Sequence, residues 1–529
     1  MNWLTPRLIS SPERAALIWR GRVLTYRGLW EWADALREQF ARAGITAGSR
    51  VAALLPKTPA AVAAIHALSA MEAVFAPLNL RLTPAEMKAQ VALARATHIL
   101  ATEETAARAR EIGNGREIVI ANEELRVART ANEELRVARI RNEESRIADF
   151  ATPNSRFAIP NSQFPTPNSQ FATPTSSPLA LLFTSGTTGT PKAARLTAAN
   201  FYWSALASAF RLGVLPHDRW LLTLPLYHVG GLNILFRSAL YGTAVVLPEA
   251  DAPFNPNRLH ETLRRQRITL VSLVPTMLHR LLEAVPEPPP PHLRVVLLGG
   301  AAAPPDLLTR ALARGYPVAT TYGLTESCSQ AATAAPPEVR RKPGSVGKPL
   351  LYTQIRIVDG DDRPLPAGEI GEIALRGPNI FAGYEDNPAA SQQALRGGWL
   401  HTGDLGYLDA EGDLWVVNRR TDLIVTGGEN VYPAEVEAVL REHPAVAEVC
   451  VVGIDDAEWG QRVAAAVVLR RHAQATPAEL EAFCRERLAG YKVPRRWRIV
   501  PELPRTASGK VKRPAVRQLL QENWRNGDL

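Results

Sequence analysis

Four short apolar runs constrain this chain more than any other feature: LALLF at 179–183, WLLTL at 220–224, LRVVLL at 293–298 and VATTY at 318–322. Several are followed by a Gly-rich turn and then a helical pattern. Strands that alternate with helices in this way build a mostly parallel sheet with helices on its faces, so the pattern predicts a large α/β domain. Hydrophobic residues make up 46 % of the 529, enough for several buried cores. Near Asn418 the style changes. A helix over 434–441, strands over 446–453 and 462–469, and a helix over 477–488 predict a small α+β domain. The boundary is expected between Asn418 and Asp422.

One region stands apart from this pattern. Residues 121–150 hold a ten-residue repeat, ANEELRVART, ANEELRVARI and RNEESRIADF. A helix turns about 100° per residue, so a ten-residue period drifts by about 80° per repeat and Leu125 and Leu135 cannot share one stripe. Residues 151–178 then repeat Pro-Asn-Ser from Pro153, Pro160 and Pro167, which excludes regular helix there. The span 121–178 reads as a low-complexity surface insertion.

Other features bound the function. Cys328, Cys450 and Cys484 lie far apart, which argues against a disulfide framework or a structural zinc site. The N-terminus has no apolar core of signal-peptide length, and the Ala-rich stretch 51–78 is interrupted by Pro56, Lys57, Pro59, His66 and Glu72. That stretch reads as a buried helix with flanking strands, and a soluble cytoplasmic protein without membrane insertion is the expectation. From Arg485 onward there are twelve Arg or Lys against four Asp or Glu, a balance of +8 within a net charge of +9. Such a patch suits phosphates or solvent; with few aromatics among it, nucleic-acid stacking has little support.

The segment Thr184-Ser185-Gly186-Thr187-Thr188-Gly189-Thr190-Pro191-Lys192 follows the first apolar run. Small residues let the backbone approach a polyphosphate, hydroxyls and N–H groups donate to it, and Lys192 adds a point charge. The spacing is not that of a Walker A loop, since Pro191 rather than Gly precedes Lys192. Four more segments follow in order: YGLTE at 322–326, TGD at 402–404, NRRTDLI leading to GGENVYP at 418–433, and PRTASGK at 504–510. Together the five resemble the signatures of the adenylate-forming superfamily of acyl-CoA synthetases, amino-acid adenylation domains and luciferases. The resemblance covers the chain apart from the insertion.

That resemblance implies ATP, Mg2+ and coenzyme A as reactants beside a small carboxylic acid. A carboxylate attacks the α-phosphate of ATP, so cationic stabilisation is the main need. By resemblance Lys510 supplies it, Thr325 contacts the phosphate or carboxylate, Glu326 holds the metal, and Tyr322 with Gly323 flanks adenine. Asp404 and Arg419 are implied at the ribose. Residues 419–421 are implied to be a hinge with Thr421 at the pivot, where many relatives have Asp or Lys. They divide a domain of residues 1–418 from one of 422–529, whose Gly427 and Gly428 line a tunnel for the pantetheine arm. A homodimer fits the family.

The acid is read from PLYHVGGLNILFRS at 225–238. His228, between a strand and a helix, is placed to gate the acyl pocket, with Gly300 and Ala301 beside it. Arg237 interrupts the apolar run 232–241, and a charge there needs a partner. An internal acid would supply one; a second carboxylate on the substrate would also. With the segments at 322–330 and 376–384, this resembles the superfamily members that act on an aromatic dicarboxylate. A fatty or aryl acyl-CoA ligase, a module loading a carrier protein and an inactive scaffold are the other readings.

Overall fold

The computed structural model describes residues 2–121, 177–185, 191–249, 254–301, 303–418, 423–505 and 511–522. The expected hinge and almost all of the insertion lie outside these residues. Pro178 belongs to the fold instead: it opens the strand Pro178–Ser185, a position where its missing N–H breaks no ladder.

Two sheets form the large α/β part. In the first, Val318–Tyr322, Val295–Leu298, Leu270–Leu273, Arg219–Leu221, Ala244–Val246 and Ala15–Trp19 run parallel in that order. Antiparallel strands close both of its edges. In the second the order is Glu117–Ile120, His98–Ala101, Arg50–Leu54, Val74–Pro77, Pro178–Ser185 and Pro191–Thr197. Helices lie between the two sheets. One buried cluster joins Phe75 and Leu182 of the second sheet, through Ile65, Phe201 and Phe236 of three helices, to Trp220 and Leu297 of the first.

The Ala-rich stretch behaves as expected. Thr58 caps the helix Pro59–Ala70 by accepting from the Ala61 N–H, and Pro59 fits the first turn, where no N–H is needed. Ten of its residues are buried between two parallel strands. No helix among the described residues is long and apolar enough to cross a membrane. Cys328, Cys450 and Cys484 are buried and unpaired with one another.

A four-stranded antiparallel sheet follows: Gln354–Val358, Gly371–Arg376, Leu400–Leu408 and Leu414–Asn418. The last sheet is built wholly from the C-terminal part, with Val446–Asp456 and Gly460–Leu469 as its long hairpin, the helices Pro433–Arg441 and Pro477–Arg485, and an edge strand Arg496–Ile499. The second helix ends three residues before the expected Leu488. Beyond Arg485 the chain tightens, Arg487 N–H donating to Cys484 O, and Leu488 is buried. The run at 220–224 is likewise shorter as a strand, ending at Leu221, because the chain then turns toward a cavity.

Candidate active site

The parallel strands of the first sheet end on one cavity of about 990 Å³. Thr223, Val274, Gly299, Gly300, Gly323 and Thr325 line it, each just beyond a strand end. This is the crevice at the carboxyl ends of strands where open α/β sheets bind ligands. Two of these positions demand glycine. Gly300 has φ +82°, and a Cβ on Gly323 would sit 1.6 Å from Ser329 O. Gly300 lines the cavity, and Ala301 is its neighbour in sequence.

At one end the antiparallel strands Pro178–Ser185 and Pro191–Thr197 pair Thr184 with Lys192 and Ser185 with Pro191. Gly186, Thr187, Thr188 and Gly189, between them in sequence, lie outside the described residues, as do Arg419, Thr421 and Lys510. The Lys192 ammonium lies 5.2 Å from the centre of the Tyr384 ring. Tyr384 in turn donates to Glu326 Oε1 at 2.7 Å, and Glu326 lines the cavity beside Thr325. Tyr322 is buried and donates to Asp404 Oδ2 at 2.8 Å, joining two residues 82 positions apart, of which Asp404 lines the cavity.

Arg237 also lines the cavity. Arg237 is 1 % exposed on the helix Val229–Tyr241. Its guanidinium donates to Ser204 Oγ at 3.3 Å and lies over the Trp220 ring, while its Nε has no partner. No carboxylate among the described residues pairs with it. Burial pushes its pKa down, although Arg keeps its proton in such settings. Gln330, on the same wall, is buried with its Oε1 unpartnered. Gly231 lets this helix start against the preceding turn, since a Cβ there would strike Pro225 O at 2.2 Å.

The C-terminal domain supplies the remaining wall. Gly427 has φ +58° and packs on Trp459, while Gly428 has φ +85° and packs on Val274. The next residue, Glu429, is buried and bridges the domains: His228 Nε2 lies 3.1 Å from its Oε2, and Arg81 donates to its Oε1 at 3.0 Å. Burial opposes that charge, but His228 and Arg81 outweigh it and hold the carboxyl at about 2. A second bridge lies nearby, where Lys492 Nζ meets Glu435 at 2.6 Å and Glu86 of the large domain at 2.7 Å.

Sequence reasoning singled out the two glycines and His228, which line the cavity, and did not single out Glu429, Arg81, Tyr384 and Trp459, which line it too. Glu429 and Tyr384 stand inside segments already singled out and were legible there as the acid after a glycine pair and the last residue of RGPNIFAGY. Arg81 and Trp459 carry no local signal.

A cleft at the strand ends, two antiparallel strands flanking a Thr- and Gly-rich segment of sequence, and a second small domain lining the same cavity fit a nucleotide-using, acid-activating class. The chain belongs to the AMP-binding enzyme family, whose model matches residues 8–385 and whose C-terminal domain model matches residues 435–510. Over 520 residues it is 40 % identical to the 2-succinylbenzoate–CoA ligase of Geobacillus kaustophilus, with 98 % of each chain covered. A double mutant of the o-succinylbenzoate CoA synthetase of Bacillus subtilis, bound with its product analogue OSB-NCoA, is similar with a TM-score of 0.82 at 36 % identity, over 98 % of this chain and 97 % of that one. The same synthetase in complex with the acyl-adenylate intermediate OSB-AMP gives 0.68 at the same identity, over 98 % of each chain.

Proposed function

We propose that this chain joins 2-succinylbenzoate to coenzyme A, using ATP and Mg2+ and releasing AMP and pyrophosphate, the step of menaquinone biosynthesis that its resemblance implies. In the first half-reaction a carboxylate oxygen of the acid bonds to the α-phosphorus of ATP, and the bond to the β-phosphate oxygen breaks. In the second the thiol sulfur bonds to the acyl carbon and AMP leaves. The observation that carries the choice of acid is Arg237, a buried cation on the cavity wall with no acid partner among the described residues. A second carboxylate on the substrate satisfies it.

The roles are those the resemblance implies. Thr184, Lys192 and the residues between them bind the phosphates, with Lys510 as the added cation of adenylation. Asp404 and Arg419 hold the ribose, and Tyr322 with Gly323 the adenine side. Glu326, with one oxygen taken by Tyr384, keeps another as the hard donor a magnesium ion takes; the ion neutralises phosphate charge when it arrives with ATP. His228, Gly300 and Arg237 bound the acid.

Residues 419–421, with Thr421 at the pivot, act as a hinge between domains of residues 1–418 and 422–529. In the arrangement described here Gly428 packs on Val274 and Glu429 engages His228. The higher score against the OSB-NCoA complex than against the OSB-AMP complex of one enzyme supports reading it as the thioester-forming arrangement, with a small domain placed differently in the other. The enzyme is cytoplasmic on this reading, with a homodimer as the assembly to test by light scattering.

The test is steady-state kinetics of Arg237→Ala with thioester formation as the readout. The KM for 2-succinylbenzoate rises far more than that for ATP. Equal rises in both remove the role of Arg237, and activity with monocarboxylates alone in the unaltered enzyme replaces the acid with a fatty or aryl one.

A further inference from the structure

Behind Asp404 lies a polar cluster outside the cavity chemistry described so far. The strands Gly371–Arg376 and Leu400–Leu408 are antiparallel, and their register shifts between Glu372 and Ala374. The residues opposite that shift are Thr402, Gly403 and Asp404, with Gly403 at φ +72°. Such a bulge frees backbone groups from the ladder, and each finds a partner here. Thr402 Oγ donates to Ile373 O at 2.7 Å and accepts from the Asp404 N–H at 3.1 Å. The Gly403 N–H donates to Glu372 Oε1 at 2.7 Å.

The other oxygen of Glu372 is held from behind. Arg396 donates to Glu372 Oε2 at 2.9 Å and makes a two-point contact with Asp362 at 2.8 and 2.9 Å. His401 Nδ1 lies 3.1 Å from the same Oε2. The His401 ring is buried, and its Nε2 has no partner. Donation to the carboxylate places the proton on Nδ1. The ligand atoms of Asp362, Glu372 and His401 lie within 4.8 Å of one another, a spacing a cation would use. Arg396 already supplies the positive charge between the two acids, so the cluster reads as a clamp on the bulge.

We infer that Glu372, backed by Arg396 and His401, is a positioning residue that fixes the Thr402–Asp404 bulge so that Asp404 meets the ribose hydroxyls of ATP. The inference rests on the proposed ribose role of Asp404. Glu372 touches no substrate; it acts through the Gly403 N–H, one peptide unit from the residue that does.

The experiment compares ATP with 2′-deoxy-ATP. In the unaltered enzyme kcat/KM favours ATP, and Asp404→Asn abolishes that preference. Glu372→Ala reduces the preference about tenfold, the weight of a hydrogen bond to a charged group, and leaves the KM for the acid unchanged. Arg396→Met, at a part-exposed position, does the same in smaller measure and carries the test should Glu372→Ala not fold. If Asp404→Asn abolishes the preference while both other variants retain it, the positioning role is wrong. Parallel losses toward ATP, 2′-deoxy-ATP and the acid also overturn it, since they mark a general structural defect. A preference untouched by Asp404→Asn removes the ribose reading itself.

Discussion

Arg237 and Lys492 are both nearly inaccessible to water, and the fold treats them in opposite ways. Lys492 lies between Glu435 of its own domain and Glu86 of the other, with both contacts under 3 Å. Burial disfavours its charge, and the two carboxylates outweigh burial and raise its pKa above the ordinary value. Arg237 receives a hydroxyl and an aromatic face but no carboxylate among the described residues. A buried charge is stable only when paired. One cation is therefore balanced by protein and ties two domains together. The other is left, on the proposed reading, for a second carboxylate of the substrate to balance.

That contrast orders four outcomes. The largest is on Arg237. Arg237→Met raises the KM for 2-succinylbenzoate about 100-fold, leaves the KM for ATP within about twofold, and does not lower the melting temperature, because no acid is orphaned; kinetics and calorimetry on one preparation check this. Lys492→Met does orphan two acids. It slows thioester formation about 30-fold by weakening the docked arrangement, while ATP–pyrophosphate exchange with 2-succinylbenzoate proceeds at near the unaltered rate. A variant that lost exchange as well would show that Lys492 serves the fold and not the docking.

His66 is another buried titratable group and has no charge partner among the described residues. Burial pushes its pKa down to about 4 from an ordinary 6.5. The unfolded chain takes up a proton below pH 6.5 that the native state refuses, so stability is full above that pH and falls as the pH drops toward 4. The loss at pH 5 is about 2 kcal/mol. His66→Leu flattens the melting temperature between pH 7 and pH 5; an unchanged slope would assign the acid sensitivity elsewhere. The smallest effect is at Glu429→Gln. His228 is partly exposed, so screening limits the pair, and thioester formation slows about threefold with exchange unaffected.

The same comparison says what the sequence can reveal. Arg237 was visible because it breaks an apolar helical run, a local anomaly. Lys492 was hidden, reading as one more residue of a basic C-terminal stretch, because Glu86 stands 406 positions away. The sheets and turns were legible for the same reason as Arg237: Gly323 and Gly428 obey local backbone rules, and strand ends fix where the loops gather. The partners that complete the site were not. Glu429 to His228, Tyr384 to Glu326 and Arg396 to Asp362 are tertiary pairs whose members carry no mark of one another.

The order of the second sheet has a consequence for how this gene can change. The chain leaves the edge strand Glu117–Ile120 and re-enters at Pro178–Ser185, four strand positions away. That is a gap of about 19 Å, which about six extended residues span. Residues 122–177 are many times that number. Loop closure grows only logarithmically with length, by about 0.6 kcal/mol per doubling, so this crossing is weakly held to any one length. The consequence is testable: a chain shortened between Ile120 and Pro178 keeps its melting temperature.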